Sequence, residues 1–267
     1  MLGDRTFGAN WWRKLRIFVY ISVVELWRLV DRSVENVEQR SCGPLNGYRS
    51  ITGLRISAYK LIYFDYQGYA EPIRLALTHA GVPFEDVRHK YEPGWQGKVS
   101  TPFGVLPVLE VDGKQLPESM AILRYIGEKH GLQASDAWQR AVGDALATSL
   151  HDLHPLFSAY EQSTQCWDVP KVEKLVQDLV KPRLKYFDEH LSKSESGYLA
   201  GDKITWVDFQ VFTFIELLKK AFQVSLESYP DLESFFKKIN DLPSVKSYRE
   251  KHPNDTWGGG MLGPYGD

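Results

Sequence analysis

The sequence contains little cysteine and no excess of either charge. Its 267 residues include only two cysteines, Cys42 and Cys166, whose wide separation fits neither a CxxC redox pair nor a zinc site. We therefore expect reduced thiols and a cytoplasmic location. The formal net charge of −2 gives neither the basic excess typical of nucleic-acid binding nor an acidic tail for a basic partner. Hydrophobic residues make up 43% and charged residues 25%, as in ordinary globular proteins.

Long apolar runs and several catalytic motifs are also absent. No run of about 18 uninterrupted apolar residues occurs, so we expect no membrane-spanning helix. The sequence contains neither GxSxG nor a P-loop, which are the motifs of α/β-hydrolases and P-loop nucleotidases. His151 and His154 flank Asp152, but this spacing does not present three ligands on one helical face. We therefore expect no metal.

Residues 1–57 are predicted to form an N-terminal extension. Basic residues precede an apolar run at 17–24, and apolar residues within 13–34 fall on one broad face of an amphipathic helix. Three interpretations are open: a segment that packs on the main body or stays disordered, contact with a membrane surface, and a cleaved signal peptide. The stretch 41–57, with its glycines and proline, is typical of a linker.

The segment 58–133 has the pattern of a small α/β domain. Strands are predicted at 59–64 and 84–88, followed by a hairpin in "VLPVLEVDGKQL" that turns at Asp112 and Gly113. One helix is predicted to open at Glu71-Pro72, and a second lies in "ESMAILRYIGEKHG" with Ser119 as its N-cap. The resulting order is strand, helix, strand, strand, strand, helix.

The segment 137–255 shows helical spacing alone. Helices are predicted at 138–153, 172–191, 206–222 and 232–240. Thr205 and Asp208 form the S/T-x-x-D start signal of the third of these helices. The glycine-rich end, 256–267, is predicted to be a flexible tail. The fold class is therefore an α/β domain followed by an all-helical domain.

Tyr63 stands at the end of the first predicted strand, just before a loop and the start of a helix. In open α/β sheets, ligands gather beyond the C-terminal ends of parallel strands. A helix N-terminus at that place offers unpaired N–H groups and a positive dipole end. The hydroxyl of Tyr63 is therefore a candidate for chemistry, and the alternative is a core tyrosine with a backbone partner.

Three other places combine residue types that suit a small ligand. A cis bond at Leu106-Pro107 would present the backbone of Leu106 to an extended peptide, whereas the alternative is an ordinary turn proline. Glu118-Ser119 opens a helix, so this pair either caps the helix or holds the charged end of a ligand. Trp95 and Lys98 belong to a Gly/Pro-rich loop that either closes over an anion or is simply anchored by its tryptophan.

Four segments together resemble the cytosolic glutathione transferases, and most closely their sigma class. In chain order they are "YKLIYFDYQGYAEPIRLAL", "STPFGVLPVLEVDG", "LPESMAILRYIGEKHGL" and "GYLAGDKITWVDF". The resemblance runs from about residue 59 to about residue 252 and leaves out residues 1–57. It implies a thioredoxin-like domain (βαβ-ββα), a helical domain, a homodimer, and glutathione as co-substrate.

The resemblance also implies which residues bind glutathione. Tyr63 would donate a hydrogen bond to the sulfur, and Leu106 beside cis-Pro107 would pair with the cysteinyl backbone. Glu118-Ser119 would hold the γ-glutamyl end. Trp95 and Lys98 would approach the glycine carboxylate.

Two further implications concern the partner subunit and the electrophile. Asp152 occupies the position of a carboxylate that reaches the ligand bound to the other subunit, which would make the dimer part of the site. The electrophile pocket would be lined by Tyr66, Gly68, Tyr69 and Tyr160.

The sequence departs from the sigma class in three places. Tyr69 replaces an arginine that lies close to the thiolate in many members. The loop between residues 95 and 102 is one residue shorter, which affects the assignment of Lys98. Thr148 and His151 stand where prostaglandin D synthases of vertebrates carry acidic ligands for a divalent metal.

The function that the resemblance implies is conjugation of glutathione to apolar electrophiles, as in detoxification. One alternative is the glutathione-dependent isomerisation of prostaglandin H2 to prostaglandin D2. Another is a non-catalytic protein that binds apolar ligands or serves as a crystallin. The retention of Tyr63, Ser119 and Asp152 argues against the non-catalytic alternative, and the loss of the arginine at Tyr69 argues mildly for it.

Overall fold

The computed structural model describes residues 59–90, 97, 100–153, 156, 169–253 and 255–256. The predictions for residues 1–57, Trp95, Lys98, Tyr160 and the tail residues 257–267 lie outside this part of the chain. Thr256, the first residue of the predicted tail, is described, and its carbonyl accepts a hydrogen bond of 2.8 Å from the Gln67 N–H. Within the described ranges, no helix is both long and apolar enough to cross a bilayer.

A four-stranded mixed sheet forms the centre of the first domain. Its strands are β1 (Tyr59–Phe64), β2 (Phe84–His89), β3 (Val108–Val111) and β4 (Lys114–Pro117), in the order β2-β1-β3-β4. β1 runs parallel to β2 and antiparallel to β3, and β3 and β4 form the predicted hairpin. The predicted thioredoxin-like arrangement is therefore confirmed.

Two helices complete this domain, α1 (Glu71–His79) and α2 (Ser119–Lys129). Pro72 lies in the first turn of α1, where its missing N–H has no intrahelical partner to lose. The whole stretch 71–77 is buried, because α1 packs against α2 on one side and against helices of the second domain on the other. The loop between β1 and α1, which contains a 3₁₀ turn at Gly68–Ala70, therefore lies where the domains meet.

The second domain is helical, as predicted. Its helices are α3 (Ala137–Ser149), α4 (Val169–Leu175), α5 (Lys181–Leu191), α6 (Trp206–Phe222), α7 (Pro230–Asn240) and α8 (Pro243–Lys251). A 3₁₀ turn, Leu150–Leu153, extends α3 to the end of the predicted helix 138–153. The central helix, α6, is buried along most of its length and has the predicted limits.

The predicted start signal of α6 is present as a capping box. Asp208 accepts hydrogen bonds from the Thr205 backbone N–H at 2.7 Å and from the Thr205 hydroxyl at 3.0 Å. Its other carboxylate oxygen accepts from the Leu199 N–H at 2.9 Å. Complete burial raises the pKa of Asp208 to about 6, and these hydrogen bonds oppose that rise. One carboxylate thus fixes both the start of the helix and the segment that precedes it.

Two features of the helical domain were not predicted. The helix predicted at 172–191 is interrupted by a π-helical turn, Val176–Val180, in which the Lys181 N–H donates to the Val176 carbonyl. Pro182 explains this turn, since proline donates no hydrogen bond and its ring crowds the carbonyl four residues earlier. The second feature is α8, in which only Val245 and Tyr248 are buried, so its sequence carries little helical periodicity.

α8 joins the two domains through a forked arginine. Arg249 donates to Glu71 of α1 at 2.6 Å and to Glu216 of α6 at 2.5 Å. Both carboxylates are nearly or fully buried, with side-chain exposures of 0% and 11%. Burial raises the pKa of Glu71 even though Arg249 and Arg74 lower it. The N-terminus of α1 is therefore held in place by a charge from the end of the helical domain.

Candidate functional site

A cavity of about 240 Å³ lies between the two domains. From the α/β domain it is lined by Gly68, Tyr69, Pro72, Val105, Leu106, Pro107, Glu118 and Ser119. From the helical domain it is lined by Leu150, His151, Gln210, Thr213 and Phe214. Sites between domains are common places for small ligands. Most of the described residues that the sequence singles out for a ligand therefore meet at one cavity.

The Leu106-Pro107 bond is cis, and both residues border the cavity beside the start of α2. Glu118, which also lines the cavity, has a φ of 73° in the left-handed region. The prediction of Ser119 as N-cap is wrong, because Ser119 is already the first helical residue and Glu118 is the N-cap. The left-handed backbone at Glu118 turns the chain into α2, and Ser119, the first residue of that helix, lines the cavity. The first N–H groups of a helix have no intrahelical acceptor, so they suit an anionic ligand.

Tyr63 lies behind the cavity wall. Its side chain is only 3% exposed, and it is not among the residues that line the cavity. Its hydroxyl oxygen accepts a hydrogen bond of 3.2 Å from the backbone N–H of Tyr69, which does line the cavity. This contact uses a lone pair of the oxygen and does not consume the hydroxyl proton.

Burial raises the pKa of Tyr63 well above the ordinary value for tyrosine. The neighbouring Tyr66 raises the pKa further, while the hydrogen bond from the Tyr69 N–H lowers it. At neutral pH the hydroxyl is therefore protonated and able to act as a neutral hydrogen-bond donor.

Gly68 allows the Tyr63 hydroxyl to lie close to the cavity wall. A Cβ atom at position 68 would lie 2.5 Å from the Tyr63 hydroxyl oxygen and 2.7 Å from the Tyr66 ring. The backbone at Gly68 also has a φ of 43°, which side chains disfavour. Only glycine fits both the backbone angle and the space at this position.

Besides Tyr63, two of the described residues predicted for the site do not line the cavity. Asp152 lies on the 3₁₀ turn after α3, where its exposed carboxylate forms an ion pair with Arg183 of α5. Tyr66 is half-buried, and its ring stacks on Phe64 with centroids 5.7 Å apart. It also meets the Tyr63 ring edge-on at 5.4 Å, so it supports Tyr63 from the side.

The sequence interpretation missed the part of the wall that α6 provides. Gln210, Thr213 and Phe214 face the cavity from the middle of this helix. The side-chain oxygen of Gln210 is buried and accepts no hydrogen bond from any described residue. The signal in the sequence was a glutamine and a threonine within the otherwise apolar stretch 209–215 of this helix, which predicts either a polar ligand or an internal hydrogen bond.

The Thr213 hydroxyl has such an internal bond, since it donates to the Phe209 carbonyl at 3.0 Å. Gln210 is therefore the cavity-lining polar side chain of α6 that could accept a hydrogen bond from a ligand.

The described residues contain no group of three or more His, Cys, Asp or Glu side chains that could hold a metal ion.

Comparison with known proteins divides the chain in the same way. Residues 59–128 match the family described as Glutathione S-transferase, N-terminal domain, and residues 151–252 match Glutathione S-transferase, C-terminal domain. Glutathione S-transferase 4 of Caenorhabditis elegans is 36% identical over 196 residues, which cover 71% of this chain and 94% of that relative.

Solved structures of similar proteins cover the same region. Monomeric Na-GST-3, a glutathione S-transferase of the hookworm Necator americanus, has a TM-score of 0.66 at 30% identity and covers 74% of this chain and 98% of its own. Prostaglandin synthase D of Nilaparvata lugens has a TM-score of 0.64 at 34% identity, covering 73% and 98%. These matches identify a transferase that uses glutathione as co-substrate. The chain belongs to the glutathione S-transferase family.

Proposed function

We propose that this enzyme conjugates the glutathione thiolate to apolar electrophiles, as a cytoplasmic detoxification enzyme of the sigma class. The observation that carries the proposal is the arrangement around one cavity of cis Leu106-Pro107, the Glu118-Ser119 helix start and the wall that covers Tyr63. We also propose that the glutathione-binding domain spans residues 58–133 and the helical domain residues 137–255.

Glutathione is proposed to lie along the α/β side of the cavity. Leu106 would pair with the cysteinyl backbone, and Glu118-Ser119 would hold the γ-glutamyl ammonium and carboxylate. The cysteinyl sulfur would then lie near Gly68 and Tyr69, with the Tyr63 hydroxyl beneath them. Trp95 and Lys98 would contact the glycine carboxylate.

The chemical step begins with the glutathione thiol. A thiol pKa of about 8.5 must fall by about two units for thiolate to dominate at neutral pH, which corresponds to about 2.7 kcal/mol. A hydrogen bond to a charged acceptor contributes about 1.5–3 kcal/mol, so Tyr63 alone supplies most of this shift. The thiol proton leaves to solvent, and the sulfur lone pair forms the new S–C bond as a leaving group departs or an activated double bond accepts electrons.

The electrophile is proposed to occupy the helical side of the cavity. Leu150 and Phe214 give this side an apolar surface, to which Pro72 adds from the α/β domain. No cation is proposed next to the sulfur, since Tyr69 takes the place of the arginine, and the Tyr69 N–H supports the Tyr63 hydroxyl instead. Gly68, Tyr69 and Tyr160 would complete the pocket, and Tyr66, which does not line the cavity, would support it through its contact with the Tyr63 ring.

The proposal predicts that the full chain binds immobilised glutathione and conjugates a chromogenic aryl halide. Elution with free glutathione, but not with an equal concentration of cysteinylglycine, which lacks the γ-glutamyl group, controls for specific retention. Retention together with glutathione-dependent turnover is the expected result. Retention without turnover would instead support the passive binding protein, and absence of both would contradict the proposal.

Isomerisation of prostaglandin H2 is a second candidate activity. It is favoured by the similarity to a solved structure described as prostaglandin synthase D. The same thiolate would attack one endoperoxide oxygen, so that an S–O bond forms as the O–O bond breaks and the other oxygen takes a proton. Loss of a proton from the carbon that bears the sulfur-bound oxygen would then form the ketone and release the thiolate. Product analysis with and without glutathione distinguishes this isomerase from an enzyme restricted to conjugation.

We further propose that the enzyme acts as a homodimer anchored by Phe103. This side chain is 81% exposed and is held at a φ of 58°, so a bulky aromatic group projects from the turn before β3. In such a dimer Asp152 would extend to the glutathione of the partner subunit.

Phe103→Ser is expected to weaken self-association by at least about 30-fold, because hot-spot aromatics contribute about 2 kcal/mol or more. Sedimentation velocity over a concentration series measures the shift, and Phe103→Tyr serves as the conservative control. A wild-type protein that is monomeric at every concentration, as Na-GST-3 is described, would contradict the dimer.

A further inference from the structure

The loop that covers Tyr63, residues 65–70, is held from behind by a buried arginine. Arg74 of α1 donates to the backbone carbonyls of Tyr66 at 2.8 Å, Gln67 at 3.3 Å and Phe64 at 3.4 Å. Its Nε atom donates to both carboxylate oxygens of Asp86 on β2, at 3.2 and 3.0 Å. The side chain of Arg74 is fully buried, so the carbonyls of the loop accept their hydrogen bonds from a guanidinium that water does not reach.

A second arginine, Arg88, extends this network and also contacts the loop itself, since one of its terminal nitrogens donates to the Asp65 carboxylate at 3.4 Å. Arg88 is the register partner of Tyr63 across the parallel strands β1 and β2. Its Nε donates to Asp86 at 2.7 Å, which joins it to Arg74. Its two terminal nitrogens donate to the two oxygens of Asp255 at 2.8 and 2.9 Å, a bidentate pair.

Asp255 and Thr256, here called the closing segment, therefore connect to the loop at residues 65–70 both indirectly, through Arg88, and directly. The indirect connection passes through Arg88, which donates both to Asp65 of the loop and to the Asp86 carboxylate that it shares with Arg74. The direct connection is the hydrogen bond of 2.8 Å from the Gln67 N–H to the Thr256 carbonyl. Gln67 is only 2% exposed, so its N–H would have no water to replace that acceptor.

The charge on Asp255 is maintained by its partner. Burial raises the pKa of Asp255, but the paired Arg88 outweighs this effect and lowers it. The carboxylate therefore stays ionised at neutral pH, and the bidentate pair persists across the range in which the enzyme would work.

We propose that the closing segment positions the loop at residues 65–70, with Asp255 and Arg88 as positioning residues for glutathione activation. Gln67 is separated from Tyr69 only by the left-handed Gly68, so the place of one N–H determines the direction of the other. When the closing segment holds Gln67, the Tyr69 N–H points at the Tyr63 hydroxyl. Without the contacts of the closing segment, the loop moves away from Tyr63. The Tyr63 hydroxyl then loses the hydrogen bond from the Tyr69 N–H, and its position is no longer fixed. The catalytic part of this inference rests on the proposed function, whereas the positional part does not.

A purely structural role for the closing segment predicts a different result. If the contact only stabilises the fold, its removal would lower Tm without changing the amide exchange of the loop or the pKa of the bound thiol. The test therefore compares Asp255→Ala with Ile239→Val, a core substitution in α7 that removes stability at a site outside the network. Asp255→Asn keeps one acceptor oxygen, so its effects should lie between those of wild type and Asp255→Ala. It also serves as the test variant if Asp255→Ala folds poorly.

Two readouts are measured on each full-length variant. The first is hydrogen–deuterium exchange of the Gln67 and Tyr69 amides, which Asp255→Ala is expected to accelerate at least ~10-fold more than Ile239→Val does. The second is the pKa of the bound glutathione thiol, followed by ultraviolet absorbance of the thiolate. We expect a rise of about half a unit to one unit, and KM for glutathione to increase about three- to tenfold.

The outcomes separate the two proposals. Unchanged exchange at Gln67 and Tyr69 would overturn the positioning role, whatever the activity. Faster exchange with an unchanged thiol pKa and KM would overturn its catalytic part, leaving a structural tether. If the wild-type protein itself fails to lower the thiol pKa, the proposed function is wrong, and the exchange of the two amides still decides whether the closing segment positions the loop.

Discussion

Tyr63→Phe is expected to lower kcat/KM for conjugation by about 10- to 100-fold. This range corresponds to the loss of about 1.5–3 kcal/mol from a hydrogen bond to a charged acceptor. The buried phenyl ring remains, so the α/β core should be unchanged. The Tyr69 N–H loses its acceptor but lies on an exposed residue, where water can take its place.

The pH profile makes this prediction specific. With Tyr63 present, the bound thiol ionises at a lower pH, so the acid limb of the kcat/KM profile lies below the pKa of a free thiol, about 8.5. In Tyr63→Phe the acid limb should move up by about one to two units, and part of the lost activity should return at alkaline pH.

Tyr59→Phe is the matched control, because Tyr59 lies on the same strand and the same buried face. Its hydroxyl bonds to the His130 Nε2 at 2.9 Å, away from the cavity. This control should lose some stability and keep its pH profile. A Tyr63→Phe enzyme with a wild-type rate and acid limb would remove Tyr63 from the mechanism.

The second large effect is on stability, where Asp208→Ala is expected to lower the free energy of unfolding by about 3 kcal/mol or more. The substitution removes the acceptor of three hydrogen bonds and leaves the buried N–H groups of Leu199 and Thr205 without that partner. Each unsatisfied buried donor costs about 1–3 kcal/mol. Chemical denaturation measures the difference.

The loss should also depend on pH. Because the pKa of Asp208 is raised from 3.8 to about 6, the folded state takes up this proton before the unfolded state as pH falls. The Asp208 side chain therefore favours folding more at about pH 5 than at about pH 7, by about 1 kcal/mol. The difference in unfolding free energy between wild type and Asp208→Ala should grow by that amount as the pH is lowered across this window.

Asp136→Ala is the control for this measurement. Asp136 is an exposed N-cap of α3 that accepts a hydrogen bond from the Gln139 N–H at 2.9 Å. Its loss should lower stability by about 1 kcal/mol. An equal effect of both substitutions would contradict the special role of the buried carboxylate.

The order of strands and helices could be predicted because each element carries its own signal. Tyr59, Leu61 and Tyr63 alternate as the buried side of β1, and Thr205 with Asp208 marks the start of α6. Features without a local signal were missed. α8 buries two side chains only, and the π turn before Pro182 changes the hydrogen bonding without changing which residues are apolar.

The residues of the candidate site also differ in whether the local sequence indicates them. Leu106-Pro107 and Glu118-Ser119 could be chosen from sequence because a strand proline and a helix start have local chemistry. Gln210 could not, because its contact with the cavity depends on where α6 meets the other domain. The N-cap assignment of Ser119 failed because the left-handed backbone of Glu118 moves the helix start by one residue.

The closing segment has a consequence for how the protein is made. Arg88 and Asp255 are 167 positions apart, and the helices α2 to α8 all lie between them in the chain. During synthesis, β1 and α1 emerge early, with Tyr63 already on its strand, whereas the last backbone partner of the loop arrives only after the helical domain has been translated. A nascent chain would therefore carry an incomplete proposed site until Asp255 and Thr256 have left the ribosome. The ability to bind glutathione in the proposed manner would thus be acquired only after the helical domain has been translated.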